Sequence, residues 1–188
     1  TIAELTQNEY VFIGMDHFAK PDDELAIAQQ KGELHRNFQG YTTQPESDLL
    51  GFGMTSISML QDVYTQNHKC LKDFYQAIDS HQIPLEKGVK LTQDDLIRRT
   101  IIMELMCQFK LSAPDLESKY HLGFDLDFND YFASELVALD ALEKDGLIQR
   151  WGDGIEVTAS GRLLIRNIAA VFDTYLSKKS ERTFSKAI

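Results

Sequence analysis

Two short apolar runs near the start of the chain, residues 10–15 and 49–58, flank a segment that has the features of a helix. Both runs have the length and composition of buried strands. Pro21 and the two aspartates that follow it favour a helix start, and Gly32 favours a helix end. This strand–helix–strand order predicts βα units with a parallel sheet, and residues 38–43 are a further candidate strand or extended loop.

The middle of the chain is more polar than the segments before it. In residues 61–88, a helix is expected around residues 71–78 and a break at Pro84. Near Gly88 we place a domain boundary, which gives domains 1–87 and 88–188. Thr92 begins the clearest helix, because it precedes Asp95 by three residues, as in a capping box. Its apolar positions recur at helical spacing: Leu96, Ile97, Ile101, Leu105, Met106 and Phe109.

The last third predicts helices over residues 115–121, 129–145 and 161–176, with a β-hairpin between the second and the third. Gly146 favours the end of the second helix, and Ser160 is expected to cap the third. The hairpin would turn at residues 152–154, which include two glycines. This order of helices and strands is similar to a winged-helix arrangement.

Charge and cysteine content exclude several classes of function. The net charge of −10 opposes unspecific binding to nucleic acid or to an anionic membrane. Residues 129–145 carry five acidic side chains and one lysine, which is unsuited to a DNA recognition helix. Cys70 and Cys107 indicate neither a disulfide framework nor a metal site, and we expect both to be buried thiols in a cytoplasmic protein. No signal peptide or membrane span is expected.

Two polar groups are candidates for ligand binding, each with a structural alternative. Asp16 and His17 follow the first predicted strand, where they would either meet a ligand or belong to a turn at the rim. In residues 37–43, Phe38 could stack on a ligand and Gln39 could bind an amino acid moiety or a carboxylate. An ordinary turn into a strand would use similar residues.

Other motifs are weaker. Residues 51–53 form a Gly-x-Gly without the third glycine of a dinucleotide site, so close strand packing is favoured. The acidic residues 125–130 lack the glycine and the closing glutamate of a calcium loop. Asn129 or Asp130 is instead expected to cap a helix. The five histidines are too scattered to predict zinc.

Several segments together resemble one known family. They are residues 14–21, 37–43, 48–58, 96–99, 130–133, 144–147, 157–168 and 184–188. The chain is similar to the oxygen-independent coproporphyrinogen III oxidases, which are radical S-adenosylmethionine (SAM) enzymes of heme biosynthesis. The resemblance covers almost the whole chain. It implies the last βα elements of a partial (β/α) barrel, followed by a helical C-terminal domain that covers the barrel mouth.

The resemblance also implies an activity and its cofactors. The family converts two propionates of coproporphyrinogen III to vinyls by oxidative decarboxylation, using SAM and a 4Fe–4S cluster. By resemblance, Phe38, Gln39 and Ile57 would line a second SAM site. The family's Cys-x-x-x-Cys-x-x-Cys cluster motif is absent from these 188 residues, which contain two cysteines. We therefore expect the C-terminal part of such an oxidase, inactive alone, whose partner is the N-terminal barrel portion of the same protein.

Two alternatives stay open at this point: a module that binds heme or a porphyrin without oxidase activity, and a winged-helix interaction module. The resemblance assigns no catalytic step to a residue of this chain, and we expect the intact protein to be a monomer. Basic residues that could meet propionates, or form surface ion pairs instead, are Arg98, Arg99, Arg162 and Arg166.

Overall fold

The chain folds into a mixed arrangement of helices and small sheets. A computed structural model describes residues 2–44, 47–120 and 128–177. The helices are α1 Ile2–Gln7, α2 Glu24–Lys31, α3 Leu71–Asp79, α4 Gln93–Gln108, α5 Ala113–Tyr120, α6 Phe128–Tyr131, α7 Ala133–Lys144, α8 Ala159–Leu163, α9 Ile165–Ala169 and α10 Thr174–Ser177, with a 3-10 turn at Ala170–Phe172. The strands are β1 Val11–Gly14, β2 His17–Ala19, β3 His35–Asn37, β4 Gly40–Thr42, β5 Ile57–Leu60, β6 Val63–Asn67, β7 Leu85–Lys90, β8 Lys110–Ser112, β9 Ile148–Trp151 and β10 Gly154–Val157.

The strands pair antiparallel, and the expected parallel sheet is absent from the part of the chain that the structure describes. The first predicted strand is confirmed as β1, and the helix that ends at Gly32 is confirmed as α2. However, β1 turns back at Met15 and Asp16 and pairs with β2. A two-residue connection can join only antiparallel strands, which explains the difference.

Residues 49–58 do not form the buried strand that their apolar composition predicts. Strand β5 begins only at Ile57, and the preceding loop forms a single bridge between Leu49 and Met59. The backbone between them includes Gly53 and Thr55 in left-handed conformations, with φ of 91° and 67°. This interrupts the extended backbone that a strand needs, and Phe52 is left 89% exposed.

A three-stranded sheet in the order β5-β6-β7 occupies the segment that we expected to be mainly polar and helical. The predicted helix around residues 71–78 is confirmed as α3, but strands β6 and β7 were not predicted. β7 is exposed along its whole length, so it carries no apolar alternation that would reveal a strand.

Helix α4 is the centre of the fold. Its predicted capping box is present: the Thr92 hydroxyl accepts a hydrogen bond from the Asp95 N–H, and the Asp95 carboxylate accepts one from the Thr92 N–H. Helix α4 packs against β1, β3, β8 and α9. Buried along it are Ile97, Ile101, Leu105, Met106 and Cys107. This face joins the first and second halves of the chain in one apolar core.

The last third combines helices with a sheet in the order β8-β10-β9. The predicted hairpin is confirmed as β9 and β10, and β8 was not predicted. The predicted helix over residues 129–145 is divided at Phe132 into α6 and α7, so neither Asn129 nor Asp130 caps it. Residues 125 and 127, also part of the rejected calcium loop, lie outside the described residues.

The predicted helix over residues 161–176 is also wrong as a single element. It is divided into α8, α9, a 3-10 turn and α10. Thr158, not Ser160, caps its start, because the Thr158 hydroxyl accepts a hydrogen bond from the Gly161 N–H. A Cβ at Gly161 would overlap the Leu147 carbonyl, so α8 packs directly against the residue that precedes β9.

Candidate functional site

The two candidate ligand-binding segments, the Asp16-His17 turn and residues 37–43, lie against each other. His17 Nδ1 lies 2.8 Å from Asp16 Oδ1, and the His17 ring packs edge-on against the Tyr41 ring with 5.1 Å between centroids. Tyr41 belongs to β4, in the hairpin that β3 and β4 form. The turn after β1 and the hairpin at residues 35–42 are therefore one structural unit.

Tyr41 fastens this unit to the core. Its hydroxyl donates a 3.1 Å hydrogen bond to the Met106 carbonyl on α4. Burial, with a smaller effect from Cys107, raises the pKa of Tyr41 to about 12. Gly14 lies so close that any Cβ at this position would overlap the Tyr41 hydroxyl. The tyrosine is thus a neutral structural anchor, not an acid–base group near pH 7.

A cavity of about 760 Å³ lies between this hairpin, the β5-β6 sheet and helices α4 and α9. The hairpin contributes residues 35–38 and Thr42, and the sheet contributes Met59 and Tyr64. The helices contribute a mainly apolar wall: Leu96, Thr100, Ile102, Met103, Met106, Ala169 and Ala170. Its volume suits a ligand of the size of a cofactor or a large metabolite.

The three predicted SAM-site residues lie near this cavity to different degrees. Phe38 lines it, is 53% exposed, and packs edge-on against Tyr64 with 5.3 Å between ring centroids. Tyr64 is paired across the sheet with Met59, two positions along β5 from Ile57. Because alternate residues and cross-strand partners share a face, Ile57 lies on the same face as Met59 and Tyr64.

Gln39 stands at the exposed tip of the hairpin. Its backbone N–H donates a 2.8 Å hydrogen bond to Asn37 Oδ1, which fixes the turn. Neither Gln39 nor Ile57 lines the cavity itself. The structure thus brings Phe38 to the cavity and places Gln39 and Ile57 beside it.

The four candidate arginines separate into two structural and two cavity residues. Arg98 binds two carboxylates, with Nε 2.8 Å from Asp94 Oδ2 and Nη1 2.6 Å from Glu135 Oε1. The Arg162 guanidinium lies over the Phe109 ring at 4.6 Å and does not line the cavity. Arg99, on α4, and Arg166, on α9, line the cavity.

One cavity residue that we did not predict is Arg36. It lies on β3 with its guanidinium 5.3 Å from the centre of the Tyr41 ring, and its Nε is buried without a hydrogen-bond partner. Its position two residues before Phe38 was a usable signal, since alternate strand residues share a face. The methionines that line the cavity could not be recognised from the sequence, because a methionine in a ligand site and one in the core have the same sequence pattern.

No group of three potential metal ligands occurs among residues 2–44, 47–120 and 128–177. Cys107 is buried as expected, but Cys70 is exposed at the start of α3, which corrects that expectation. With two cysteines, the chain does not fit a cluster that needs three thiolate ligands. Across the described residues, no helix has the length and apolar character needed to span a membrane.

Comparison with known proteins gives consistent matches. Residues 91–164 match the family model of the HemN C-terminal domain. The whole chain is 77% identical to part of an oxygen-independent coproporphyrinogen III oxidase from Synechocystis, of which it covers 41%. It is 59% identical to the oxidase of the same name from Thermostichus vulcanus and covers 57% of it. The chain thus spans only part of the length of these relatives, 41% of one and 57% of the other.

Comparison of the fold with solved structures points to the same family. A solved structure of coproporphyrinogen III oxidase (HemN) from Escherichia coli, described as a radical SAM enzyme, matches with a TM-score of 0.86 and 56% identity. The match covers 93% of this chain and 39% of that chain. The resemblance read from the sequence is therefore confirmed: this chain is similar, along its whole length, to the C-terminal part of the oxygen-independent coproporphyrinogen III oxidases.

Proposed function

We propose that the chain is the C-terminal part of a radical SAM enzyme that converts coproporphyrinogen III to protoporphyrinogen IX. The proposal rests on a match over the whole length of the chain to enzymes named oxygen-independent coproporphyrinogen III oxidase. In the reaction, each of two propionates loses a hydrogen atom, carbon dioxide and one electron, which passes to an electron acceptor, and a vinyl group remains. The cavity beside Phe38 supports this proposal, because its residues could form one wall of the enzyme's ligand-binding site.

The finer architecture is part of the same proposal. Residues 1–87 would complete a partial (β/α) barrel, in which β1 finds parallel neighbours outside this chain. Residues 88–188 would form a winged-helix-like covering domain. The order β8-β10-β9 supports the second assignment, since in a winged helix the strand after the first helix pairs with the last strand. The proposed division falls within β7.

Phe38, Gln39 and Ile57 would hold a second SAM molecule. The exposed Phe38 ring can stack on an adenine or another flat group, and the face shared by Ile57 and Met59 supplies apolar contact. The exposed Gln39 amide can bind a polar group of the same ligand. SAM supplies the radical that abstracts hydrogen from the propionate. The residues of this chain bind and orient the ligand.

The 4Fe–4S cluster would be held by the rest of the protein, so the 188 residues alone would be inactive. We place the intact enzyme in the cytoplasm, because neither cysteine of this chain forms a disulfide. We also expect the intact enzyme to be a monomer. No nucleic acid is proposed as a partner, in view of the net charge of −10.

The test begins with the coding sequence upstream of Thr1. We expect a Cys-x-x-x-Cys-x-x-Cys motif within the preceding few hundred codons. The protein encoded from its own start should then convert coproporphyrinogen III to protoporphyrinogen IX without oxygen when given SAM and a reductant. The 188 residues alone should not cleave SAM. An intact protein that carries the motif, loads its cluster and leaves coproporphyrinogen III unchanged would contradict the proposal.

A second candidate function is a heme- or porphyrin-binding module without oxidase activity. The cavity favours it, because arginines and methionines line a space of the right order of size. The Soret absorbance of heme should then shift when heme binds to the chain, with a stoichiometry near one heme per chain. Saturable binding together with the absence of any upstream cluster motif would favour this function over the oxidase.

A further inference from the structure

Three arginines from three different elements line the cavity between the β3-β4 hairpin and helices α4 and α9. Arg36 lies on β3, Arg99 on α4 and Arg166 on α9. In a chain with a net charge of −10, most basic side chains have acidic neighbours available. The distribution of carboxylate partners among the arginines is therefore informative.

Two arginines outside the cavity are each bound by two carboxylates, while Arg162 instead lies over the Phe109 ring. Arg98 lies between Asp94 and Glu135, and Arg150 binds Asp140 and Glu143 at 2.5 and 2.6 Å. The cavity arginines differ. Among the described residues, none of the three forms an ion pair with a carboxylate. Their charges are thus available to a ligand.

Arg99 is held in position without being neutralised. Its Nη1 donates hydrogen bonds to the Gln61 carbonyl at 3.2 Å and to the Tyr64 hydroxyl at 3.4 Å. Both acceptors are neutral and belong to the β5-β6 hairpin, across the cavity from α4. A guanidinium has five donors, so most of those of Arg99 stay free.

Arg166 faces the cavity from α9, which packs against α4. It is exposed, and no hydrogen bond joins it to any other described residue. Its charge acts on the Tyr41 hydroxyl, whose pKa it lowers against the larger effect of burial. Arg166 therefore shares the cavity with Arg36 and lies within electrostatic range of Tyr41.

Three aspartates also line the cavity; Lys90 lies near one of them, and a backbone N–H orients each of the other two. Asp62 lies 3.7 Å from Lys90, and Asp48 accepts a 2.8 Å hydrogen bond from the Gln61 N–H. Asp173 accepts a 2.8 Å hydrogen bond from the Tyr175 N–H. The cavity thus offers free cationic donors beside aromatic and thioether surface, which suits a flat apolar ligand that carries carboxylates.

We infer that Arg99 and Arg166 bind carboxylates of the ligand that fills this cavity, and that Arg98 and Arg162 have no part in binding. The inference rests on the proposed function for the identity of the ligand. Two sources can supply the carboxylate: a propionate of the tetrapyrrole, or the amino acid end of SAM. The chemistry is the same in both cases, because a guanidinium binds either carboxylate through paired N–H donors.

The test is equilibrium binding to the 188-residue chain, with coproporphyrin III and SAM as separate probes. Coproporphyrin III is a stable porphyrin that carries the same four propionates as the substrate, and its tetramethyl ester is the probe without carboxylates. The variants are Arg99→Gln and Arg166→Gln. Lys72→Gln, on α3 and outside the cavity, removes the same charge and is the matched control.

Each arginine variant should weaken binding of at least one probe about tenfold or more, as loss of a hydrogen bond to a charged group predicts. Lys72→Gln should change it less than twofold. Arg99→Lys and Arg166→Lys should retain part of the affinity. The ester should bind more weakly than the acid if the propionates are the source, and equally if SAM supplies the carboxylate.

The inference fails if neither probe binds, or if both arginine variants bind both probes as the parent chain does while melting at the same temperature. An equal loss with Lys72→Gln would show a general charge effect and would also overturn it. Failure of the oxidase assay with intact carboxylate binding would reject only the proposed function. Oxidase activity that survives Arg99→Gln and Arg166→Gln unchanged would reject only this inference.

Discussion

At the scale of single residues, Arg98 and Arg99 show how neighbours in sequence take different roles. They are adjacent on α4, and both were candidates for binding propionates. The turn of the helix directs Arg98 toward Glu135 and the Phe172 carbonyl, and Arg99 toward the β5-β6 hairpin. Successive helical residues are about 100° apart, so two adjacent arginines meet different partners.

Replacing Arg98 should destabilise the fold strongly. Arg98→Met leaves the Glu135 carboxylate, whose side chain is 11% exposed, without its cation. Removal of one partner from a fully buried pair costs about 3–5 kcal/mol of unfolding free energy, and we expect a loss at or below the lower end of that range because this pair is only partly buried. Urea unfolding of the variant measures this loss. The double variant Arg98→Met with Glu135→Leu should recover part of it, and a double variant less stable than the single one would contradict the ion-pair explanation.

Gly14 should tolerate no side chain while Tyr41 keeps its hydroxyl. Gly14→Ala introduces a Cβ that overlaps the Tyr41 hydroxyl, and its φ of 156° is also disfavoured for alanine. We expect a loss of about 1–3 kcal/mol in unfolding free energy. In a Tyr41→Phe background the same substitution should cost less, since the overlapping oxygen is gone. Equal costs in both backgrounds would show that the clash is not the cause.

At the scale of elements, local signals predicted the start of α4, the end of α2 and the β9-β10 hairpin, but not the pairing of strands distant in sequence. The capping box of α4 and the left-handed Gly32 after α2 each involve residues within four positions of one another. Such bonds are satisfied by the segment itself, so they are visible in sequence. Strand β8 pairs with β10 more than 40 residues away, and no local pattern specifies that partner.

The Thr92 cap should contribute about 1 kcal/mol to stability. Thr92→Ala removes a hydroxyl that accepts a hydrogen bond from the Asp95 N–H and donates one to the Asp95 carboxylate. Loss of an N-cap of this type costs about 1 kcal/mol of unfolding free energy. Gln93→Ala, one position later and without a role in the cap, is the control and should change stability by only a few tenths. Chemical denaturation of both variants separates the cap from a general effect at this helix end.

At the scale of the whole molecule, buried and hydrogen-bonded carboxylates should make stability depend on pH. Burial alone would raise the pKa of Glu135, but hydrogen bonds from Ser134 and Arg98 hold it below the ordinary value of 4.5. Burial opposes the lowering of the pKa of Asp95 too, and bonds from Thr92 hold it below 3.8. A lowered folded-state pKa means that the unfolded chain binds protons first as the pH falls.

The free energy of unfolding should therefore be constant from neutral pH down to about pH 5.5 and fall below it. The stability is present above the unfolded-state pKa values and is lost as the pH falls through the folded-state values. Denaturation in urea at pH 7, 5, 4 and 3 measures the slope. Glu135→Gln should flatten the dependence, although it lowers stability at pH 7. Equal stability of the parent chain at pH 7 and pH 3 would refute this linkage.

The isolated chain should also associate with itself. Helix α3 buries none of its residues, and Leu71, Tyr75 and Ile78 form an exposed apolar stripe at helical spacing. Nearby, strand β7 is exposed and pairs on one edge with β6. Light scattering should show a mass that rises with concentration. Changing both Leu71 and Ile78 to Gln should reduce it, whereas the surface substitution Lys144→Gln should not.

The sequence by itself determined some helix boundaries, the β9-β10 hairpin and the family to which this chain is similar. Cap residues, glycine helix ends and the β9-β10 turn act within a few residues, so their effect does not depend on the rest of the chain. Only the tertiary structure decided that β1 turns back on itself, that residues 49–56 form a loop, and that Arg99 and Arg166 share a cavity with Phe38. The first two outcomes depend on local backbone turns that the apolar pattern does not reveal. The shared cavity joins residues more than 50 positions apart, and a side chain's partners across such distances follow from the folded backbone.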